Sequence, residues 1–408
     1  MNRRIGPEFK ASEEGGLADM NESNNESNPE GGAEFPRPLP VIRALIDGVD
    51  REILQLLSRR YGLVGEIAAY KRDHRVPIRD YPRERELLED RCRRAGPLGL
   101  STELVESLFR LILWGSRDRQ AALKAEVPPD IEPRTVAVIG GRGGMGRCLA
   151  ELFADVGHTV MVSDLDTSLK PIEAATVADV VVVSVPIDAT LEVIRSIGPA
   201  MRDDALLMDV TSVKTEPLAA MLAAGQCDVV GTHPLFGPSV HSLQNQRVVL
   251  CPGRGEAALE WVRRTFQSRG LVVMDTTAEE HDRVMSVVQV LVHFSTEVMG
   301  KTLSRLGASI ERTLEFTSPI YLMELIMTAR HFAQSPELYA SIQMSNPATE
   351  EVTAAFVEAA ENLRQIATTR DHAKFTGMFD EVRDFLGGFT EQAMEQSSFL
   401  IDRLVERG

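Results

Sequence analysis

The chain is short of several things, and each shortage removes a class of answers. Positive charge is one of them. Against 60 Asp and Glu stand only 44 Lys and Arg, a formal net charge of -16, which argues against nucleic acid or an anionic membrane as the main partner while leaving local basic pockets for small anions. Long apolar runs are another. Nothing approaches the roughly 20 residues a membrane helix needs, and no apolar stretch follows Arg3 and Arg4 as a secretion signal would require. Cysteine is the third. Cys92, Cys148, Cys227 and Cys251 fall without CxxC spacing or a metal-ligand pattern, so free thiols, no metal and a reducing, cytoplasmic compartment are expected.

What is present is organised in regimes. At 408 residues the chain exceeds the length at which one core stops growing, so two or three domains are expected. Residues 1–38 are rich in Asn, Glu, Ser and Gly and read as a disordered tail. From Leu39, apolar residues recur at helical spacing without a proline until Pro77, which predicts one helix from Leu39 to Asp73. Two more are predicted from Pro82 to Arg94 and from Ser101 to Lys124, with Ser101 as N-cap. Three prolines mark a linker over 125–133. Residues 134–278 then alternate helices with short β-branched runs at Val136–Ile139, Thr159–Val162, Val180–Val185, Leu206–Val210, Val229–Gly231 and Val248–Cys251, the pattern of a parallel Rossmann-type sheet. Residues 279–408 read as helix throughout, with breaks near Pro319, Pro336 and Pro347. The expected fold class is therefore an all-α domain over 39–124, an α/β domain with a parallel sheet, and an all-α C-terminal domain.

A helix from Leu39 to Asp73 would be about 50 Å long at 1.5 Å per residue. That is too long for a three-helix domain to cover, so its apolar stripe needs a second chain and a homodimer is expected. Arg60 and Lys71, eleven residues apart, share a face, whereas Arg43 and Arg60 diverge by about 100° and should serve different pockets. Any one of these cations could be a solvated side chain. As a set over residues 39–123, with the Asp50 region, Arg59-Arg60, the Pro77-Ile-Arg-Asp80 loop, Arg83-Glu84-Arg85, Ser116 and Gln120, they resemble the all-helical chorismate mutase of bacterial bifunctional aromatic-pathway proteins. The rearrangement uses no nucleophile, base or cofactor, which leaves positioning and electrostatics. The resemblance implies that Arg60 and the other subunit's Arg43 clamp the two carboxylates of chorismate, that Lys71 and Gln120 donate to the ether oxygen, and that Glu84, helped by the Asp80 backbone, holds the ring hydroxyl. Arg83 and Ser116 line the same site. The Arg83-Glu84 loop has the form seen in the mutase fused to prephenate dehydratase.

After the first strand comes Gly140-Gly-Arg-Gly-Gly-Met-Gly146, with G-x-G-x-x-G at Gly141, Gly143 and Gly146, an apolar helix starting near Met145, and an acidic residue closing the second strand. The glycines would admit a pyrophosphate to the helix N-terminus. Asp164, 23 residues beyond Gly141, stands where a carboxylate binds the ribose hydroxyls and repels a 2′-phosphate, so NAD is expected rather than NADP; Asp166 is the nearby alternative. Ser184 and Pro186 fit a loop beneath the nicotinamide.

Three clusters follow: Asp209-Val-Thr-Ser-Val-Lys214, Gly231-Thr-His-Pro-Leu-Phe-Gly-Pro238 and Met327-Thr-Ala-Arg-His-Phe-Ala-Gln334. His233 is placed at the carboxyl edge of a doubly wound sheet, where ligands bind. With Ser318-Pro-Ile-Tyr321 and Glu337-Leu-Tyr339, these clusters resemble prephenate dehydrogenase from about Arg134 to the C-terminus, which makes the last region a dimerisation domain. The whole arrangement resembles the bacterial T-protein family of tyrosine biosynthesis. The resemblance implies that His233 accepts the 4-hydroxyl proton of prephenate as hydride leaves for NAD, and that Ser212 hydrogen-bonds that hydroxyl. Arg330 would bind a substrate carboxylate beside Lys214, Gln289 and His293, and tyrosine would act as feedback inhibitor near Tyr339. His241, His281, His331 and His372 receive no role. Two other readings stay open: an inactive mutase-like dimerisation or sensing module on a dehydrogenase for prephenate or arogenate, and a reductase of small hydroxy or imino acids.

Overall fold

The computed structural model describes residues 37–73, 80–122, 131–240 and 242–405. The expected tail up to residue 36, the Pro77-Ile-Arg79 stretch, linker residues 125–130 and His241 lie outside the described residues.

Helix α1 runs 35 residues, Leu39–Asp73, the bounds predicted from its uninterrupted helical period. Pro40 is tolerated because the first turn has no intrahelical acceptor to lose. In the single chain its apolar stripe lies open: Val41, Leu45, Ile46, Val49, Ile53 and Leu56 are each 47–55% exposed. From Arg60 onward, Val64 is buried. Helix α2 (Tyr81–Ala95) starts where the Asp80 carboxylate accepts the Arg83 amide at 3.0 Å. It stops through a tight turn that ends at Gly99, whose φ of 71° is the left-handed geometry glycine adopts without strain. Helix α3 (Thr102–Ala122) is capped by Ser101, whose Oγ accepts the Leu104 amide at 3.1 Å, as predicted.

The next stretch runs β1 (Thr135–Ile139), α4 (Gly144–Asp155), β2 (Thr159–Ser163), α5 (Pro171–Val177), β3 (Val180–Val183), α6 (Ile187–Ile197), β4 (Leu206–Asp209), α7 (Thr215–Ala224), β5 (Asp228–Pro234), β6 (Arg247–Arg254), α8 (Glu256–Ser268) and β7 (Val272–Asp275). The strand order is β2-β1-β3-β4-β5-β6-β7. All four valines of β3 are buried, as a central strand covered on both faces must be. One face packs Val138, Leu149, Leu152, Phe153 and Phe266; the other packs Ile139, Val183, Ile194, Ile197 and Met221.

Two features depart from the predicted parallel sheet. Strand β6 pairs antiparallel with β5, because the described residues of the connection, 235–240 and 242–246, form no crossover helix. Strand β7, on the sheet edge beside β6, was not expected from its short Val272-Val-Met274 run.

The remaining elements are helical, as predicted: α9 (Ala278–Met285), a π-helical turn at Ser286–Leu291, α10 (Val292–Leu306), α11 (Ile310–Glu315), α12 (Pro319–Phe332), α13 (Pro336–Ser345), α14 (Thr349–Thr369), α15 (His372–Leu386) and α16 (Phe389–Val405). Prolines 319 and 336 each open a helix behind a serine N-cap rather than breaking one. Among the described residues no helix is long and apolar enough to cross a membrane. The four cysteines are free, and burial pushes the Cys251 thiol up to about 12.

Leu149 on α4 is 1% exposed in the sheet core. Replacing it by alanine should destabilise this part of the chain by about 2–5 kcal/mol, read as a lowered urea midpoint with unchanged slope. A change below 1 kcal/mol would show that the site collapses around the lost volume.

Candidate active sites

In the first helical region, the packing of α2 on α3 and the second half of α1 gathers several of the predicted residues. Arg60 is half-buried, donates Nη1 to Ser116 Oγ, and among the described residues has no carboxylate partner; burial pulls its guanidinium below its ordinary value. Ser116 Oγ in turn donates to the Ile112 carbonyl at 2.5 Å. One turn further along α3, Gln120 Nε2 donates to the Ser116 carbonyl at 3.2 Å, while its buried Oε1 has no partner among the described residues. Glu84 Oε1 accepts from Arg117 Nη1 at 2.8 Å, a residue the sequence reading passed over. Lys71 is half-buried. Arg83 is not brought to this group: it is exposed and donates to Glu86 one turn along α2 at 2.6 Å. Asp80 caps α2 with its side chain, and Arg43 lies on the exposed surface of α1.

The glycine loop sits at the topological switch point of the sheet, where β1 is flanked by β2 and β3. A Cβ at Gly146 would stand 2.2 Å from the Gly140 carbonyl, and one at Gly140, with φ of 78°, 2.3 Å from the Ser184 carbonyl. Backbone therefore approaches backbone more closely than any side chain allows. Helix α4 begins at Gly144 with no side-chain cap at Gly143, so its first amides remain available to an anion, and Met145 is half-buried in that first turn. Asp164 closes β2 and accepts the Arg142 amide at 2.8 Å, whereas Asp166 pairs with the Arg142 side chain and is exposed. Pro186 is the N-cap of α6. The residues present fit a dinucleotide.

His233 lies within β5, opposite Val249. The strand runs past the predicted Gly231 because its antiparallel partner β6 continues to pair with it. His233 is 3% exposed, and burial first, then His281 and Lys214, hold its imidazole well below the ordinary value. Its Nδ1 is 2.9 Å from His281 Nε2, and His281 Nδ1 is 2.8 Å from Asp282 Oδ1. A carboxylate can only accept. With one proton on each ring, His281 therefore donates Nδ1–H to Asp282 and accepts at Nε2 from His233 Nδ1–H, which leaves His233 Nε2 as a bare acceptor. That nitrogen lies 3.5 Å from Gln289 Nε2, carried by the π-helical turn, a device that recurs at functional sites. Asp282 also accepts the Lys214 and Thr215 amides at 2.7 and 2.9 Å. Burial pushes its carboxyl up, but these bonds and that of His281 bring it below the usual range.

Lys214 was expected to line a substrate pocket, yet it is fully buried with Nζ paired to Asp209 and donating to the Thr232 carbonyl at 2.8 Å. Ser212, half-buried, follows β4 two residues before it. His293 sits in a ring cluster, 4.7 Å from Tyr339 and 5.5 Å from His331 between centroids, and burial lowers its imidazole. His331 Nε2 is 3.0 Å from Glu297 Oε1. Arg330, in the last turn of α12, is exposed and among the described residues pairs with no carboxylate.

Three family models match in sequence: chorismate mutase type II over residues 42–121, the prephenate dehydrogenase nucleotide-binding domain over 145–275, and the prephenate dehydrogenase dimerization domain over 277–381. The T-protein of Haemophilus influenzae is 34% identical over 371 residues, covering 90% of this chain and 98% of its own. The chain belongs to the T-protein family. The T-protein of Enterobacter agglomerans is 33% identical across 89% of this chain and 97% of its own. Among solved structures, the prephenate dehydrogenase of Aquifex aeolicus in complex with hydroxyphenyl propionate and NAD+ superposes with a TM-score of 0.51 at 19% identity, covering 62% of this chain and 97% of that one; it supports the fold.

For this T-protein family member, the residues missed in sequence are Arg117, His281 and Asp282. The Glu280-His-Asp282 triplet gave no spacing signal, because its partner His233 is 48 residues away and only folding joins them. At the glycine loop, Gly146→Ala should weaken dinucleotide binding by about tenfold or more, since tenfold is 1.4 kcal/mol and the new Cβ must displace the Gly140 backbone. Calorimetric titration checks it, and unaltered affinity would remove the loop from the site.

Proposed function

We propose that this chain rearranges chorismate to prephenate in residues 39–124 and, in residues 134–408, oxidatively decarboxylates prephenate with NAD, both steps serving tyrosine biosynthesis. The observation that carries the reading is the bare His233 Nε2, fixed by the His281–Asp282 chain, on a polypeptide that also holds a half-buried Arg60 that donates to Ser116 beside Gln120.

In the mutase step, Arg60 takes one carboxylate of chorismate and Arg43 of a second copy takes the other. Lys71 and Gln120 donate to the ether oxygen as it gains charge, and Glu84 with the Asp80 backbone orients the ring hydroxyl. Charge placed before the reaction needs no reorganisation during it. The exposed stripe of α1 and the match to a dimerization domain support a homodimer.

In the second step, His233 Nε2 accepts the proton of the 4-hydroxyl, with Ser212 hydrogen-bonding the same oxygen. The glycine loop and Asp164 would hold NAD, which would supply the hydride acceptor for the carbon that bears that hydroxyl. Carbon dioxide then leaves and the ring becomes aromatic. Arg330 binds a substrate carboxylate, with Gln289 and His293 lining the pocket; Lys214, neutralised by Asp209, positions the loop that carries Ser212. Asp164 favours NAD by facing the ribose. Tyrosine, as feedback inhibitor, is placed near the Tyr339 ring cluster.

Supplying the purified full chain with chorismate and NAD should yield 4-hydroxyphenylpyruvate and NADH in equal amounts; NADH from prephenate but none from chorismate would reduce the helical region to a non-catalytic module.

His233→Asn should lower kcat for prephenate by about 10²-fold with little change in KM, and remove the acidic limb of the rate profile, because that limb reports loss of the neutral imidazole. Arg330→Gln should instead raise KM, since a carboxylate bound alike in ground and transition states loses its partner in both. Near-normal kcat with the acidic limb intact in His233→Asn would overturn its role as base.

A further inference from the structure

The structure points to Arg117 as a positioning residue for the rearrangement, one that acts through Glu84, and we propose that the guanidinium fixes the carboxylate that orients the ring hydroxyl of chorismate. The inference rests on the mutase reading above and deepens it.

Arg117 follows Ser116 on α3 and precedes Gln120 by three residues, so it rises from the stretch of helix that holds both. Its Nη1 reaches 33 residues back to Glu84 Oε1 at 2.8 Å, joining α3 to the first turn of α2. The two side chains are only 14% and 18% exposed. Such a pair is a poor device for stability, because taking both charges from water offsets most of their attraction. Arg117 is a worse case still, for its Nε is buried and among the described residues finds no acceptor, and an unmet buried donor is costly. Packing therefore does not account for an arginine here. Positioning does: the Nη1 contact fixes where Glu84 Oε1 sits, and the guanidinium charge holds the half-buried carboxylate against α3. Arg60 on Ser116 and Arg117 on Glu84 thus form adjacent cationic contacts along α3, the first open to an anion, the second already occupied and holding an acceptor in place.

The experiment is steady-state mutase kinetics on the full chain for the wild type, Arg117→Gln, Arg117→Lys, Glu84→Gln and the Arg117→Gln/Glu84→Gln double variant, with NADH formation from supplied prephenate as internal control. Arg117→Gln should lower kcat/KM for chorismate about tenfold, and Arg117→Lys should recover part of the loss, since lysine keeps the charge but not the guanidinium geometry. In the double variant the loss should stay within about twofold of Glu84→Gln alone, the non-additivity of residues acting as one unit. Arg117→Gln within twofold of wild type, or a double variant whose loss is the product of the two single losses, would overturn the proposal. Should Arg117→Gln lose helical content, Arg117→Lys decides: a loss of a few fold with wild-type thermal unfolding supports positioning, and wild-type rate refutes it. A wild type that does not turn over chorismate would instead fail the mutase reading itself.

Discussion

The dehydrogenase half is organised around one buried carboxylate. Asp282 is 2% exposed, and a charge so placed must be met on every side. Two backbone amides at the start of α7 meet it, and the His281 ring meets it again. Its own carbonyl accepts from Asn346, beyond α13, at 2.8 Å. The need to satisfy one anion thus ties the nucleotide-binding sheet to the C-terminal helices, and the same anion determines which nitrogen of His233 is free. Stability and chemistry use the same contacts here.

A second buried charge stands beside the first. Lys214 and Asp209 are both fully buried and paired, with Thr211 Oγ1 also donating to Asp209 at 2.5 Å. The Lys214 charge adds, after burial and His281, to the lowering of the His233 imidazole. Removing either partner would leave an uncompensated charge in the core, so this pair constrains the loop of Ser212 more firmly than packing could.

The helical half works by the opposite rule. Among the described residues it has no comparable buried relay, and Arg60, half-buried on Ser116, has no carboxylate partner there. A pericyclic step asks only for an orientation and a field, and side chains fixed on packed helices supply both. Asp80 illustrates the economy: the carboxylate that starts α2 also sets where Glu84 begins.

The sequence by itself determined the element types, because helical and alternating periods follow from local geometry: α1 matches to the residue, Ser101 caps α3, and the glycine loop falls between a strand and a helix. It also singled out Arg60 through its spacing from Lys71 and His233 through strand-end context, while Ser116 and Gln120 came from the resemblance to the chorismate mutase. What it could not show depends on contacts far apart in the chain. The antiparallel turn of β6, the edge strand β7, the pairing of Arg117 with Glu84 and the link of His233 to the His281–Asp282 relay all join residues whose neighbours in sequence carry no matching period. Those were decided in the tertiary structure, where the cost of leaving a buried charge unpaired selects among arrangements that local periodicity leaves equivalent.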